Sequence, residues 1–124
     1  MIRLRGRTLS GEETNKILAE KRDWILKVCR TVDAIPKQIV AFGSAAYGEF
    51  REDSDVDIAL IFDDEDALRR AKPAISAAPR NDLRSLDILF YAEDDFLRRA
   101  ERGGVSMIID EDGIELYHRG KGLS

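Results

Sequence analysis

The chain contains one cysteine and one histidine in 124 residues. A lone cysteine, Cys29, cannot build a disulfide framework, so a reducing compartment is the natural setting and the cytoplasm the expected location. Its place on the apolar face of a helical pattern reads as structural burial rather than nucleophilic use. The histidine, His118, stands near the C-terminus with no cysteine or second histidine beside it. Zinc sites of the His/Cys type and Ser/His/Asp catalysis therefore have almost no material to work with. No apolar run is long enough to span a bilayer, and no signal peptide is expected. An excess of positive charge is missing too. The formal net charge of −4 argues against sequence-independent binding to nucleic acid. The opening MIRLRGR is basic, and its plain reading is a solvated terminus rather than a phosphate-binding arm.

What remains suits a soluble globular protein: 44% apolar and 35% charged residues of both signs. The length allows one domain with one core. We read residues 1–9 as an N-terminal arm, 10–34 as a first helix, 38–117 as a sheet-containing core and 118–124 as a tail. Ser10 and Glu13 have the spacing of a capping box. Behind them Ile17, Leu18, Trp24, Ile25, Val28, Cys29 and Val32 recur on one helix face, with Pro36 as the latest stop. QIVAF (38–42) predicts a strand ending at Gly43, followed by a short helical turn from Ser44 to about Phe50. DVDIALIF (55–62) predicts a second strand, buried on both faces beyond Asp57. The acids at 63–66 read as dipole complements of a helix starting near Glu65, interrupted or restarted near Pro73 and ending before Pro79. SLDILFY (85–91) predicts a third strand. AEDDFLRRAERGG has the charge polarity of a helix, and VSMIIDEDGIELY predicts a helical turn, a turn at Asp112-Gly113 and a last edge strand. Helices alternating with strands make this an α/β or α+β domain.

Two carboxylates one residue apart need a reason. In a strand Asp55 and Asp57 share a face, with Cα atoms roughly 6.5 Å apart. Unpaired, they raise each other's pKa, whereas a hard divalent cation keeps both ionised. Mg²⁺ takes few carboxylates and fills its shell with water and phosphate oxygens, so the pair is half of a metal–nucleotide site. Gly43-Ser44 is a candidate for the other half: glycine lets the backbone approach a phosphate and serine adds a donor. Asp87, between Leu86 and Ile88, is an aspartate in an apolar context that needs an explanation. If its strand neighbours the second, it joins the same face, and two Mg²⁺ ions roughly 3.5–4 Å apart fit there. Each acid also has a bland reading: Asp55 as a turn cap after Ser54, Asp87 as the partner of Arg84.

Gly43-Ser44, ten residues, then Asp55-x-Asp57, with Asp87 in a later strand, resembles the nucleotidyltransferases of the DNA polymerase β superfamily. Within it the pattern is most similar to the minimal nucleotidyltransferase (MNT) group. The stretch FGSAAYGEFREDSDVDIAL, including Gly48, Arg51 and Ser54, follows that pattern, as do LDILFY and DGIELY. The resemblance spans roughly Gln38 to Tyr117 and departs at Tyr47, where many relatives have arginine. That departure puts a positive nucleotide contact in doubt, for which Arg51 is a substitute unless it pairs with Glu49 or Asp53. The resemblance implies a mixed β-sheet flanked by helices and transfer of AMP from ATP to a hydroxyl. It implies that Asp55 and Asp57 bind both metals, that Asp87 binds the catalytic metal and takes the acceptor's proton, and that Gly43-Ser44 holds the triphosphate. It also implies a role as the antitoxin of a HEPN–MNT toxin–antitoxin pair, modifying a tyrosine of the HEPN RNase. The rival readings are a degenerate module that neutralises its partner by contact, and transfer to a small molecule such as an aminoglycoside.

Overall fold

Ser10 and Glu13 do form a capping box: Ser10 Oγ accepts from the Glu13 N–H at 3.1 Å, and the Glu13 carboxylate accepts from the Ser10 N–H at 3.0 Å. They open α1 (Gly11–Thr31), which buries Leu18, Ile25, Leu26 and Cys29. It ends three residues short of the expected limit, at a left-handed Asp33 ahead of Pro36. The computed structural model describes residues 6–80, 84–120 and 122–123. After α1 come β1 (Gln38–Phe42), a 3₁₀ helix (Gly43–Tyr47), β2 (Val56–Phe62) and α2 (Glu65–Ala77). Then follow β3 (Leu86–Ala92), α3 (Glu93–Arg102), α4 (Val105–Asp112), β4 (Ile114–His118) and the two-residue β5 (Gly122–Leu123).

The strands form one mixed sheet in the order β3-β2-β1-β4-β5. β1 runs antiparallel to β2 and β4, whereas β2 and β3 run parallel, joined by the crossover helix α2. Helices cover both faces. Ile39, Ala41, Ile58, Leu60 and Phe62 pack with Leu18, Ile25, Cys29, Ala71 and Ile75 of α1 and α2. Val40, Ala59 and Ile61 point the other way, onto Phe96 of α3 and Ile109 of α4. The expected burial of β2 on both sides is therefore present.

Three expectations change. α2 continues through Pro73 rather than restarting there. Pro73 lies on the exposed side, where water can take the carbonyl one turn earlier that loses its donor. Asp64 caps this helix by accepting from the Ala67 N–H at 2.9 Å, so the acid run is a helix start. β4 is not the edge, because β5 pairs beyond it. The chain turns at Asp112-Gly113 as expected, between the end of α4 and the start of β4; Gly113 has φ −66, and its need is space, since a Cβ there would meet Val40 Cγ1 and the Ile109 carbonyl. Finally, part of the N-terminal arm is docked rather than solvated. The Leu9 N–H donates to Phe50 O at 2.8 Å and the Glu52 N–H to Arg7 O at 3.0 Å. Met1 to Arg5 of the basic opening lie outside the described residues. Among the described residues no helix is long and apolar enough to cross a membrane. Cys29 is buried, and burial pushes its thiol up to about 11, the opposite of what a nucleophile needs.

Candidate active site

β1 and β2 pair so that Phe42 stands opposite Asp57. The next residue, Gly43, turns the chain with φ +74, and a Cβ added there would collide with the Asp57 Oδ2. Glycine is thus required twice, once by the left-handed backbone and once by the carboxylate lying on its Cα. The glycine-serine and the aspartates, separate in sequence, meet at this point. Ser44 follows in the 3₁₀ helix, half-buried.

Asp87 is the register partner of Asp57 across the parallel β2–β3 pair. Paired residues in neighbouring strands project to the same face, with the strands roughly 4.8 Å apart. The two carboxylates are therefore adjacent, on the face covered farther along by α3 and α4. The environment of Asp87 differs from expectation: β3 is an edge strand, and Asp87 is exposed rather than enclosed by its apolar neighbours. Register, not burial, is what marks it. Asp55 also differs, because β2 starts at Val56 and leaves Asp55 exposed in the preceding loop. Its charge still reaches the pair. The Asp57 carboxyl is raised above the usual range, first by burial, then by Asp87, then by Asp55.

Nothing among the described residues neutralises these acids by a hydrogen bond or ion pair. Arg84, the bland partner for Asp87, is committed elsewhere: its guanidinium donates to Ser54 O at 2.8 Å and Arg51 O at 3.3 Å, and lies 5.1 Å from the Phe50 ring centre. Arg51 pairs with neither Glu49 nor Asp53. Its backbone N–H donates to Ser54 Oγ at 2.9 Å and its guanidinium to Gly6 O at 3.4 Å. Arg84, Ser54 and the docked arm thus hold the loop that delivers Asp55. Tyr47 is exposed, and its hydroxyl donates to Asp112 Oδ2 at 2.9 Å, tying the 3₁₀ helix to the end of α4. Sequence reasoning named Arg84 and Asp112 in other roles and missed these contacts, which reach 30 and 65 residues along the chain with no local signal.

The donor chemistry fits a hard divalent cation: oxygen ligands, adjacent, and costly to keep charged without one. Among the described residues no three His, Cys, Asp or Glu side chains close around one point as a finished cage. Mg²⁺ needs none, since waters and phosphate oxygens complete its shell. A cleft of about 460 Å³ lies elsewhere, between α3 and α4 around Tyr91, Arg98, Arg99 and Arg102. Volume does not select the site here; the meeting of Gly43, Asp57 and Asp87 does.

The sequence profile of the nucleotidyltransferase domain family matches residues 22–114, from the second half of α1 through the start of β4. The chain belongs to the nucleotidyltransferase domain family. No match was found among curated proteins. Among solved structures, this nucleotidyltransferase domain is similar to a candidate nucleotidyltransferase from Sulfolobus solfataricus, with 20% identity, TM-score 0.62 and 96% of each chain covered. That likeness bears on the fold. A structure described as a toxin-antitoxin with AMP-PNP is 18% identical over 83% of this chain and 75% of that one, at a TM-score of 0.43. At that score it carries no weight for function.

Proposed function

We propose that this nucleotidyltransferase domain transfers AMP from ATP to a hydroxyl, a tyrosine of a HEPN-type RNase toxin, and so acts as the toxin's antitoxin. The observation that carries the transferase reading is the in-register pairing of Asp57 with Asp87, with the Asp57 carboxylate lying against Gly43. Asp55, Asp57 and Asp87 would hold two Mg²⁺ ions, which when bound neutralise triphosphate charge and make the acceptor hydroxyl easier to deprotonate. Gly43 lets the phosphates approach the main chain, and the Ser44 hydroxyl donates to a phosphate oxygen. Asp87, on the open edge strand, faces the incoming hydroxyl and takes its proton. The hydroxyl oxygen bonds to the α-phosphorus as the bond to pyrophosphate breaks. A contact from Arg51 to the nucleotide requires its guanidinium to leave the Gly6 carbonyl. The protein supplies position and charge rather than a covalent intermediate. Exposure of Asp87 supports a macromolecular acceptor, because the sheet face on which it stands beside Asp57 is open to solvent at this end and admits another protein's side chain.

The test is co-expression with a HEPN-type protein, followed by incubation of the two with α-labelled ATP and Mg²⁺. Label on a partner tyrosine, lost with Asp57→Asn, supports the proposal. A tight complex in which neither protein takes label contradicts it and selects the contact-only module.

A further inference from the structure

β3 pairs with β2 on one side, and among the described residues no strand pairs with the other. The Val56 N–H donates to Ser85 O at 2.9 Å. Because main-chain groups alternate sides along a strand, Ser85, Asp87, Leu89 and Tyr91 bond inward to β2. Leu86, Ile88 and Phe90 then present their N–H and C=O groups outward. Edge strands are normally blunted by lysine, proline, a bulge or a covering segment. β3 (LDILFYA) has no lysine or proline, runs seven residues in unbroken register with β2, and carries one charge. Leu86, Ile88 and Phe90 are half-exposed and border a cleft of about 270 Å³ with Trp24 and Ile75. The outward main-chain groups of this edge lack a partner among the described residues. Its apolar side chains Leu86, Ile88 and Phe90 pack inward on the core, Phe90 stacked on Phe62 with Lys72 Nζ over its ring, and stay half-exposed on their outer side.

The flanks say which neighbour fits. Arg80, Asp82 and Arg84 precede β3, a flank of net positive charge, and Glu93, Asp94 and Asp95 follow it. Within the chain Arg84 donates to the Ser54 and Arg51 carbonyls, Glu93 pairs with Lys37 and Asp95 with Arg98 and Arg99. A second copy laid parallel would set like charges together. Laid antiparallel, it sets each copy's arginines against the other's acids and matches the apolar row to itself.

We propose that β3 pairs antiparallel with β3 of a second copy of the chain, joining two five-stranded sheets into one across a two-fold axis at Leu89. This register sets Leu86 opposite Ala92 and Ile88 opposite Phe90, uses the full strand and pairs the outward groups. Leu89, 37% exposed, then faces its own copy at a Cα separation of roughly 4.5 Å.

Sedimentation equilibrium of the full chain over a concentration series tests this, apart from any activity. The wild type is expected to move from 14.0 kDa toward twice that mass as concentration rises. Leu89→Lys and Leu89→Glu, folded by circular dichroism, each remain monomeric, and an equimolar mixture of the two regains the dimer. Amide exchange at Ile88 and Phe90 slows with concentration in the wild type only. A wild type monomeric throughout, a dimer indifferent to Leu89→Lys, or a mixture that stays monomeric each overturns the proposal.

Discussion

The two faces of β2 are put to different uses. Val56, Ile58, Leu60 and Phe62 point into the packing against α1 and α2 and are all fully buried. One residue out of phase, Asp57 is half-exposed beside Asp87, and only Ala59 and Ile61 beyond it are sealed by Phe96 and Ile109. A single strand thus anchors the fold with one parity and offers carboxylates with the other. The separation of stability from activity follows from this, because side chains on opposite faces share the main chain and little else.

The sharpest way to break that comparison is to change one face and measure both properties. Asp57→Asn should lower transfer by about 1,000-fold or more while leaving the far-ultraviolet circular dichroism and urea midpoint near wild type. Leu60→Ala should do the reverse. It should cost about 2–5 kcal/mol in urea unfolding, with kcat per folded molecule kept at temperatures below its lowered Tm. A collapse of Asp57→Asn, or a catalytic defect in folded Leu60→Ala, would show that the faces are not separable.

Gly43→Ala should affect both properties together, since Gly43 lies where the faces meet. A left-handed residue with a Cβ costs about 1–2 kcal/mol, and relieving the collision displaces Asp57, so stability and transfer both fall. Arg84→Ala is a smaller perturbation. Loss of its bonds to the Ser54 and Arg51 carbonyls should lower the urea midpoint by about 1 kcal/mol in equivalent stability. It should also raise the Mg²⁺ concentration needed for half-maximal activity, because Asp55 hangs on that loop.

The smallest effect has the most informative sign. A raised Asp57 pKa means that the folded chain holds that proton more tightly than the unfolded one. The associated stability is present below the ordinary aspartate range and is lost as pH rises through the folded value. At neutral pH without metal, Asp57→Asn should therefore raise Tm slightly in differential scanning calorimetry. Mg²⁺ should then raise the wild-type Tm and leave the variant's unchanged.

Much of this was legible in the chain because the signals are local. The capping box, the apolar runs of QIVAF and DVDIALIF, and the acid start of α2 all act within a few residues. The first and last appear where expected, and the strands appear with β2 starting one residue late, at Val56. Gly43 and Asp57 were legible as a pair only because both are chemically conspicuous. Their contact depends on the Phe42–Asp57 register, which no local pattern states. Asp87 was chosen partly for its apolar neighbours, and those neighbours lie on an edge, where burial is incomplete. Strand order is a long-range outcome, decided by which apolar faces α1 to α4 can cover. The docked arm, the Arg84 clamp and the Tyr47–Asp112 contact were illegible for the same reason, since each joins segments far apart in sequence.

The central claim is that Asp57 and Asp87, beside Gly43-Ser44, hold Mg²⁺ against a triphosphate. Isothermal titration calorimetry with a non-hydrolysable ATP analogue addresses it without requiring the acceptor. The account predicts binding to the wild type that requires Mg²⁺, and no comparable binding to Asp57→Asn or Asp87→Asn at the same Mg²⁺ concentration. Equal binding with and without Mg²⁺, or undiminished Mg²⁺-dependent binding by either variant, would contradict it.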